Sequence, residues 1–270
     1  MTRIAYRIVD VFSDRPLAGN ALCVVLDPVA PAQRAALARE VNLSETTFPA
    51  VTRRPAGPVE GRYDVHIHTP VAELPFAGHP TLGTAWVLGP GRWEQTSPGA
   101  TVVVRAEAGR ASMVQPVPVC TPTAAAPAVA ALGLPGAEGA WVAEAGGVRH
   151  LVVLTDAALE HLEPDLGAVR RLAGAVDVTT TAVVRRRHDR ELHVRVFVPG
   201  HGVPEDPGTG SAAGPIATLA HREWGTATDV TIRQGGEIGR PCLIEVTVAA
   251  DGPVVGGAVV GCAEGHFDLG

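Results

Sequence analysis

The stretch ELPFAGHPTLG at residues 73–83 returns 132 positions later as EDPGTGSAAGP at residues 205–215. Both copies begin with an acid, turn on Pro and Gly, and run into small residues of helical composition. Three other blocks echo at nearly the same distance. GNALCVVL (19–26) resembles GVRHLVVL (147–154), VHIHTP (65–70) resembles VRVFVP (194–199), and EAGRASM (107–113) resembles EIGRPCL (237–243). The common order, at an offset close to half of the 270 residues, marks an internal repeat. The offset grows by three between the second and third blocks, which predicts a longer loop at 200–204.

Working outward from these blocks predicts the same elements twice. An alternating strand (63–68; 192–198) stops at Pro, a tight Gly/Pro loop follows, and then a helix of small residues (80–88; 212–221). Pro80 sits in a first helical turn, where its missing N–H costs nothing. Strands follow at 101–105 and 243–248, and other helices are expected at 31–41, 123–132 and 165–173. Short strands separated by Gly and Pro suit curved, barrel-like sheets, and a helix of Ala, Gly, Thr and Leu suits a barrel interior. The expectation is an α+β protein of two homologous domains, 1–118 and 128–254, divided in the Pro/Ala-rich stretch 116–127. Each is a curved sheet around a central helix, with the active site in the cleft between them. The tail 255–270 is expected to pack back on the first domain.

Composition narrows the chemistry. All 22 basic residues are Arg, and the chain contains no Lys. Schiff-base chemistry and a Walker phosphate loop both need a Lys. A net charge of -6 and 4% aromatic residues give neither a basic face nor stacking surface for nucleic acid. The run Arg185, Arg186, Arg187, Arg190 reads as a solvated strand end. Cys23, Cys120, Cys242 and Cys262 are widely spaced and form no CxxC pair, as expected of small buried thiols in a reducing cytoplasm. Arg3, Arg7 and Asp10 do not suit a secretory leader, and no apolar run reaches membrane-span length.

The two loop–helix junctions, Gly78-His79 and Gly210-Ser211, gather backbone N–H groups at a positive helix end and favour a small carboxylate. His79, Asp206 and Ser211 add reactive groups there. Asn42-Leu43-Ser44-Glu45 precedes an extended apolar run. A carboxylate between apolar walls can exchange protons with carbon, but Glu45 taken alone also reads as a surface or cap residue. Ser211, His79 and Asp206 are hydrolase residue types, yet GSAAG lacks the GxSxG elbow. The loop GTGSAAG has GxGxxxG spacing, not the dinucleotide GxGxxG. Neither junction holds Cys, which argues against two-thiol epimerisation. His66 and His68 alternate on one strand with no further ligand cluster, which reads as a structural pair.

VDVFSDRPLAGNALCVV, NLSETTF, ELPFAGHPTLG, EDPGTGSAAGP and QGGEIGRP together resemble the PhzF family, the phenazine-biosynthesis isomerases, which share the diaminopimelate epimerase fold. The resemblance spans nearly the whole chain. It implies a cofactor-free isomerase of antibiotic (phenazine) biosynthesis, cytoplasmic and homodimeric, acting on trans-2,3-dihydro-3-hydroxyanthranilic acid with no metal. It implies that Glu45 moves a proton from ring C3 and that His79, Asp206 and Ser211 line the same pocket. Ser44, Gly78 and Gly210 would then contact substrate, the two glycines through backbone N–H groups. Pro207-Gly208 between Asp206 and Thr209 departs from the family loop and bears on pocket shape. The residues leave open an isomerase or epimerase of another small amino or hydroxy acid on the same fold.

Overall fold

The computed structural model describes residues 2–57, 60–200 and 203–269. Positions 201 and 202 of the loop expected at 200–204 lie outside the described residues. The chain divides into two compact units, Met1–Val114 with Gly256–Gly270, and Gln115–Val255.

The first unit runs β1 (Thr2–Val11), β2 (Asn20–Val25), α1 (Pro31–Val41), β3 (Glu45–Arg53), β4 (Gly61–His68), the two-residue β5 (Glu73–Leu74), α2 (Gly78–Leu88), β6 (Gly91–Ser97), β7 (Ala100–Glu107) and β8 (Arg110–Val114). Strand β1 pairs antiparallel with β2, β2 parallel with β3, β3 antiparallel with β4, and β4 parallel with β6. Strands β6, β7 and β8 form a meander. The C-terminal strand Val254–Leu269 pairs with both β8 and β1, closing an eight-stranded barrel. Helix α2 fills it. Nine of its eleven residues are buried, and a sequence of Gly, Thr, Ala and Pro with few large side chains lets the wall approach. In β4 the alternation places Tyr63, Val65 and Ile67 in the core.

The second unit runs β9 (Val119–Thr123), α3 (Ala126–Leu132), β10 (Gly139–Ala145), β11 (Val148–Leu154), α4 (Leu166–Val176), β12 (Thr180–His188), β13 (Glu191–Phe197), β14 (Glu205–Asp206), α5 (Gly210–Trp224), β15 (Asp229–Gln234) and β16 (Cys242–Thr247). Its pairing steps repeat those of the first unit. Strands β11 and β12 are parallel as β2 and β3 are, β12 and β13 antiparallel as β3 and β4 are, and β13 and β15 parallel as β4 and β6 are. The repeat read from sequence is therefore a repeat of connection and register, and the fold is α+β with two homologous halves. Helix α3 lies between β9 and β10. It packs Ala128, Ala131 and Leu132 against a core that includes Leu159 and Val169.

Three details differ from the sequence expectations. Helices α2 and α5 begin at Gly78 and Gly210, two residues earlier than expected, so His79 and Ser211 stand in the first helical turn. The stretch 116–127 is not all linker, because Val119–Thr123 pairs with β10. That pairing also holds Thr123 extended and delays α3 to Ala126. No disulfide joins the four cysteines; Cys23 and Cys242 are buried, and Cys120 and Cys262 are half-buried. Among the described residues no helix is long and apolar enough to cross a membrane.

Candidate active site

In the first unit, α1 ends on Asn42 in the left-handed conformation, its N–H bonded to Ala38 O at 3.0 Å. The bend at Leu43 and Ser44 then feeds β3, whose first residue is Glu45. Ser44 and Glu45 are half-buried. Strand β3 is tied to the central helix by a 2.8 Å hydrogen bond between Thr47 Oγ1 and Thr84 Oγ1. Two elements thus fix the pair that matters. Glu45 Oε2 lies 3.4 Å from Nε2 of His79, in the first turn of α2.

His79 is 3% exposed. Burial pushes its imidazole down to about 3, opposed in part by the Ala21 backbone, so the ring is neutral near pH 7. Asn20 Nδ2 stands 3.1 Å from His79 Nδ1. With that amide donating to Nδ1, the ring hydrogen sits on Nε2, toward Glu45. A neutral ring places no positive charge beside the carboxylate. No side chain caps α2, and Pro80 has no N–H, so the first-turn donors are Gly78 and His79.

The second unit builds its half differently. Glu205 is locked by Arg195, whose Nε and Nη2 donate to the two carboxylate oxygens at 2.9 and 2.8 Å. Arg195 Nη1 also donates to Leu159 O and Leu162 O, and the guanidinium lies over the Phe197 ring. The adjacent Asp206 accepts from Thr209 Oγ1 at 2.5 Å. Gln234 holds this loop: its Nε2 donates to Asp206 O at 2.7 Å and Thr209 Oγ1 at 3.0 Å, and its Oε1 accepts from Thr209 N at 3.2 Å. Next to it, Gly235 has φ +77°, and a Cβ there would lie 2.9 Å from Pro207 Cα. The first unit repeats this contact, with Gly99 N donating to Pro75 O at 2.9 Å.

Ser211 opens α5 beside Gly210, whose carbonyl accepts from Gln115 Nε2 at 2.8 Å. Pro215 lies one turn further on and cannot donate to the Ser211 carbonyl. That backbone group instead faces His150, a fully buried ring bonded at 2.8 Å to Thr180 Oγ1. Burial lowers His150 to about 4, and the Ser211 backbone offsets part of that.

The expected residues therefore fall into two sets, Ser44, Glu45, Gly78 and His79 in the first unit and Asp206, Gly210 and Ser211 in the second. Sequence reading passed over Asn20, Gln115, His150, Thr209 and Gln234. For all but Thr209, a loop hydroxyl, the signal is an amide or imidazole inside an apolar strand or at its end, as in GNALCVV and TIRQ. His66 Nδ1 bonds Glu73 at 2.6 Å, while His68 is buried against the edge of Phe48. Among the described residues no group of three His, Cys, Asp or Glu could hold a metal ion.

Solved structures share this architecture. A predicted epimerase from Pseudomonas aeruginosa matches with a TM-score of 0.83 and 28% identity over all of both chains. A hydroxyproline epimerase from Agrobacterium vitis matches in fold, with a TM-score of 0.61 and 11% identity over 98% of this chain and 92% of that one. These likenesses define the architecture, an epimerase-like fold, and curated relatives define the class, an isomerase. A trans-2,3-dihydro-3-hydroxyanthranilate isomerase from Pseudomonas aeruginosa is 38% identical over 253 residues, 87% of each chain. The model of the phenazine biosynthesis-like proteins, PhzC-PhzF, matches residues 9–263, and the chain belongs to that family.

Proposed function

We propose that this isomerase converts trans-2,3-dihydro-3-hydroxyanthranilic acid to its reactive ketone tautomer by a cofactor-independent proton shift. The observation that carries the reading is the Glu45 carboxylate 3.4 Å from a buried His79 that stays neutral. Glu45 removes the proton from ring C3, and the electron pair moves into the ring to give a bound enol. The same carboxyl, its proton exchanging with solvent while the enol is bound, delivers a proton to another carbon on the same face, so one proton is lost and one is gained. Asp206 and His79 hold the ring amine and hydroxyl. Ser211, with the N–H groups of Gly78, His79, Gly210 and Ser211, holds the substrate carboxylate or the developing enol oxygen, and Ser44 contacts substrate beside Glu45. A homodimer in the cytoplasm, serving phenazine synthesis, accompanies this reading.

The 38% identity to a relative bearing that activity's name supports the choice of substrate. The test is incubation with the dihydrohydroxyanthranilic acid in D2O. Loss of substrate absorbance with deuterium in the product is the expected result. No change with folded protein would move the assignment to another small amino or hydroxy acid.

A further inference from the structure

A cavity of about 540 Å³ opens on the outside of the first unit, between the start of α1, strand β3 and the C-terminal end of α2. Its walls include Val29, Phe48, Val51, Val87 and Leu88, and three arginines line it, Arg7, Arg34 and Arg54. The only carboxylate in the lining is Asp27, which already accepts the Ala5 N–H at 2.7 Å. Leu88 and His79 lie at opposite ends of α2, nine residues or about 13 Å apart along the axis. This cavity is therefore not the helix mouth that carries Glu45 and His79.

The charges in it are poorly matched. Arg7 lies 3.5 Å from Glu264, and Arg54 Nη1 donates to the Leu88 carbonyl at 3.0 Å. Arg34 has no hydrogen bond or ion pair among the described residues, and its Nε is buried without a partner. Glu73 is near enough to feel Arg34, yet its carboxyl is held low first by the hydrogen bond from His66. Arg34 does not serve the helix either, since a cation in a first turn opposes the helix dipole. A buried guanidinium nitrogen left without an acceptor is costly unless something supplies one.

We propose that this cavity is a second small-molecule site, which binds a carboxylate carried on an apolar, ring-sized body. The guanidinium of Arg34 takes the carboxylate through its planar fork, Arg54 adds charge at the rim, and Phe48, Val51 and Val87 receive the apolar body. A bare inorganic anion would satisfy the arginines and leave the apolar wall wet.

The test uses the full chain and 4-fluorobenzoate as the probe, followed by fluorine NMR. The proposal expects a bound resonance that survives Ser211→Ala, weakens roughly tenfold or more in Arg34→Met and weakens in Arg54→Met. Turnover of the Arg34→Met and Arg54→Met proteins should match the parent, and far-UV circular dichroism checks their folds. Arg54 is exposed, so its variant keeps the test open if Arg34→Met misfolds. A bound resonance unaffected by both arginine variants, or no resonance besides one lost with Ser211→Ala, overturns the proposal. Displacement of the probe by equimolar inorganic phosphate overturns the ligand class.

Discussion

The side-chain amide of Gln234 donates to the Asp206 carbonyl over 2.7 Å, so the loop bearing a candidate catalytic acid hangs from the last residue of β15. The same amide also bonds Thr209, whose hydroxyl holds the Asp206 carboxylate. Replacing Gln234 by Leu removes three hydrogen bonds around a buried loop and should cost about 1–3 kcal/mol for each group left unpaired. Turnover should fall more than stability alone explains. Comparing kcat with KM in Gln234→Leu and Gln234→Glu checks this, and a Leu variant with parental kcat would contradict the role.

Glu45→Gln keeps the size of the side chain and removes the proposed base. The expected result is an intact fold with turnover down at least a hundredfold, measured by substrate absorbance and solvent deuterium exchange. A variant retaining near-parental rates would remove Glu45 from the mechanism.

Gly235→Ala places a methyl group against Pro207 at a backbone conformation that favours Gly. It should lower stability by about 1–3 kcal/mol and disturb Asp206 more than Glu45. Gly99→Ala meets Pro75 in the first unit, with its Cβ 2.7 Å from Pro75 Cβ, and should disturb the His79 side instead. Urea midpoints and substrate KM for the two variants distinguish the effects.

Acid should unfold the protein partly through its buried imidazoles. His79 and His150 are lowered from 6.5 to about 3 and about 4 by burial. Above pH 6.5 neither the folded nor the unfolded chain protonates these rings, and they add no pH dependence. As pH falls below 6.5 the unfolded chain binds protons first, and stability drops by up to about 1.4 kcal/mol per pH unit per ring. The drop ends where the folded rings also protonate, near pH 4 for His150 and pH 3 for His79. Urea titrations from pH 4.5 to 7.5 should show a shallower slope in His150→Gln than in the parent. Equal slopes would contradict a buried neutral His150.

Much of this molecule was legible in its sequence because its repeat is local. ELPFAGHP and EDPGTGS state their turns and three reactive groups within a few residues, and their helix starts to within two. Helix 31–41 was readable at both ends from Pro31 and from Asn42, which takes the left-handed cap. What stayed hidden depends on distance in sequence. Asn20 meets His79 from 59 positions away, Gln234 reaches Asp206 from 28, and Gln115 reaches Gly210 from 95. An amide at the edge of an apolar strand carries no sign of its partner. The starts of α2 and α5 were set two residues late because Gly is a poor helix former, and here it supplies the close-packed first turn.

Closure of the first barrel by Val254–Leu269 orders events during synthesis. Strand β1 is made some 250 residues before its C-terminal partner. The second unit, Gln115–Val255, is one uninterrupted stretch and emerges whole before that partner does. The half that holds Glu45 and His79 thus waits as an open, edge-exposed sheet while its sibling can already be folded. The unit that carries Glu45 is then the later of the two to form and the first to open if Val254–Leu269 is lost.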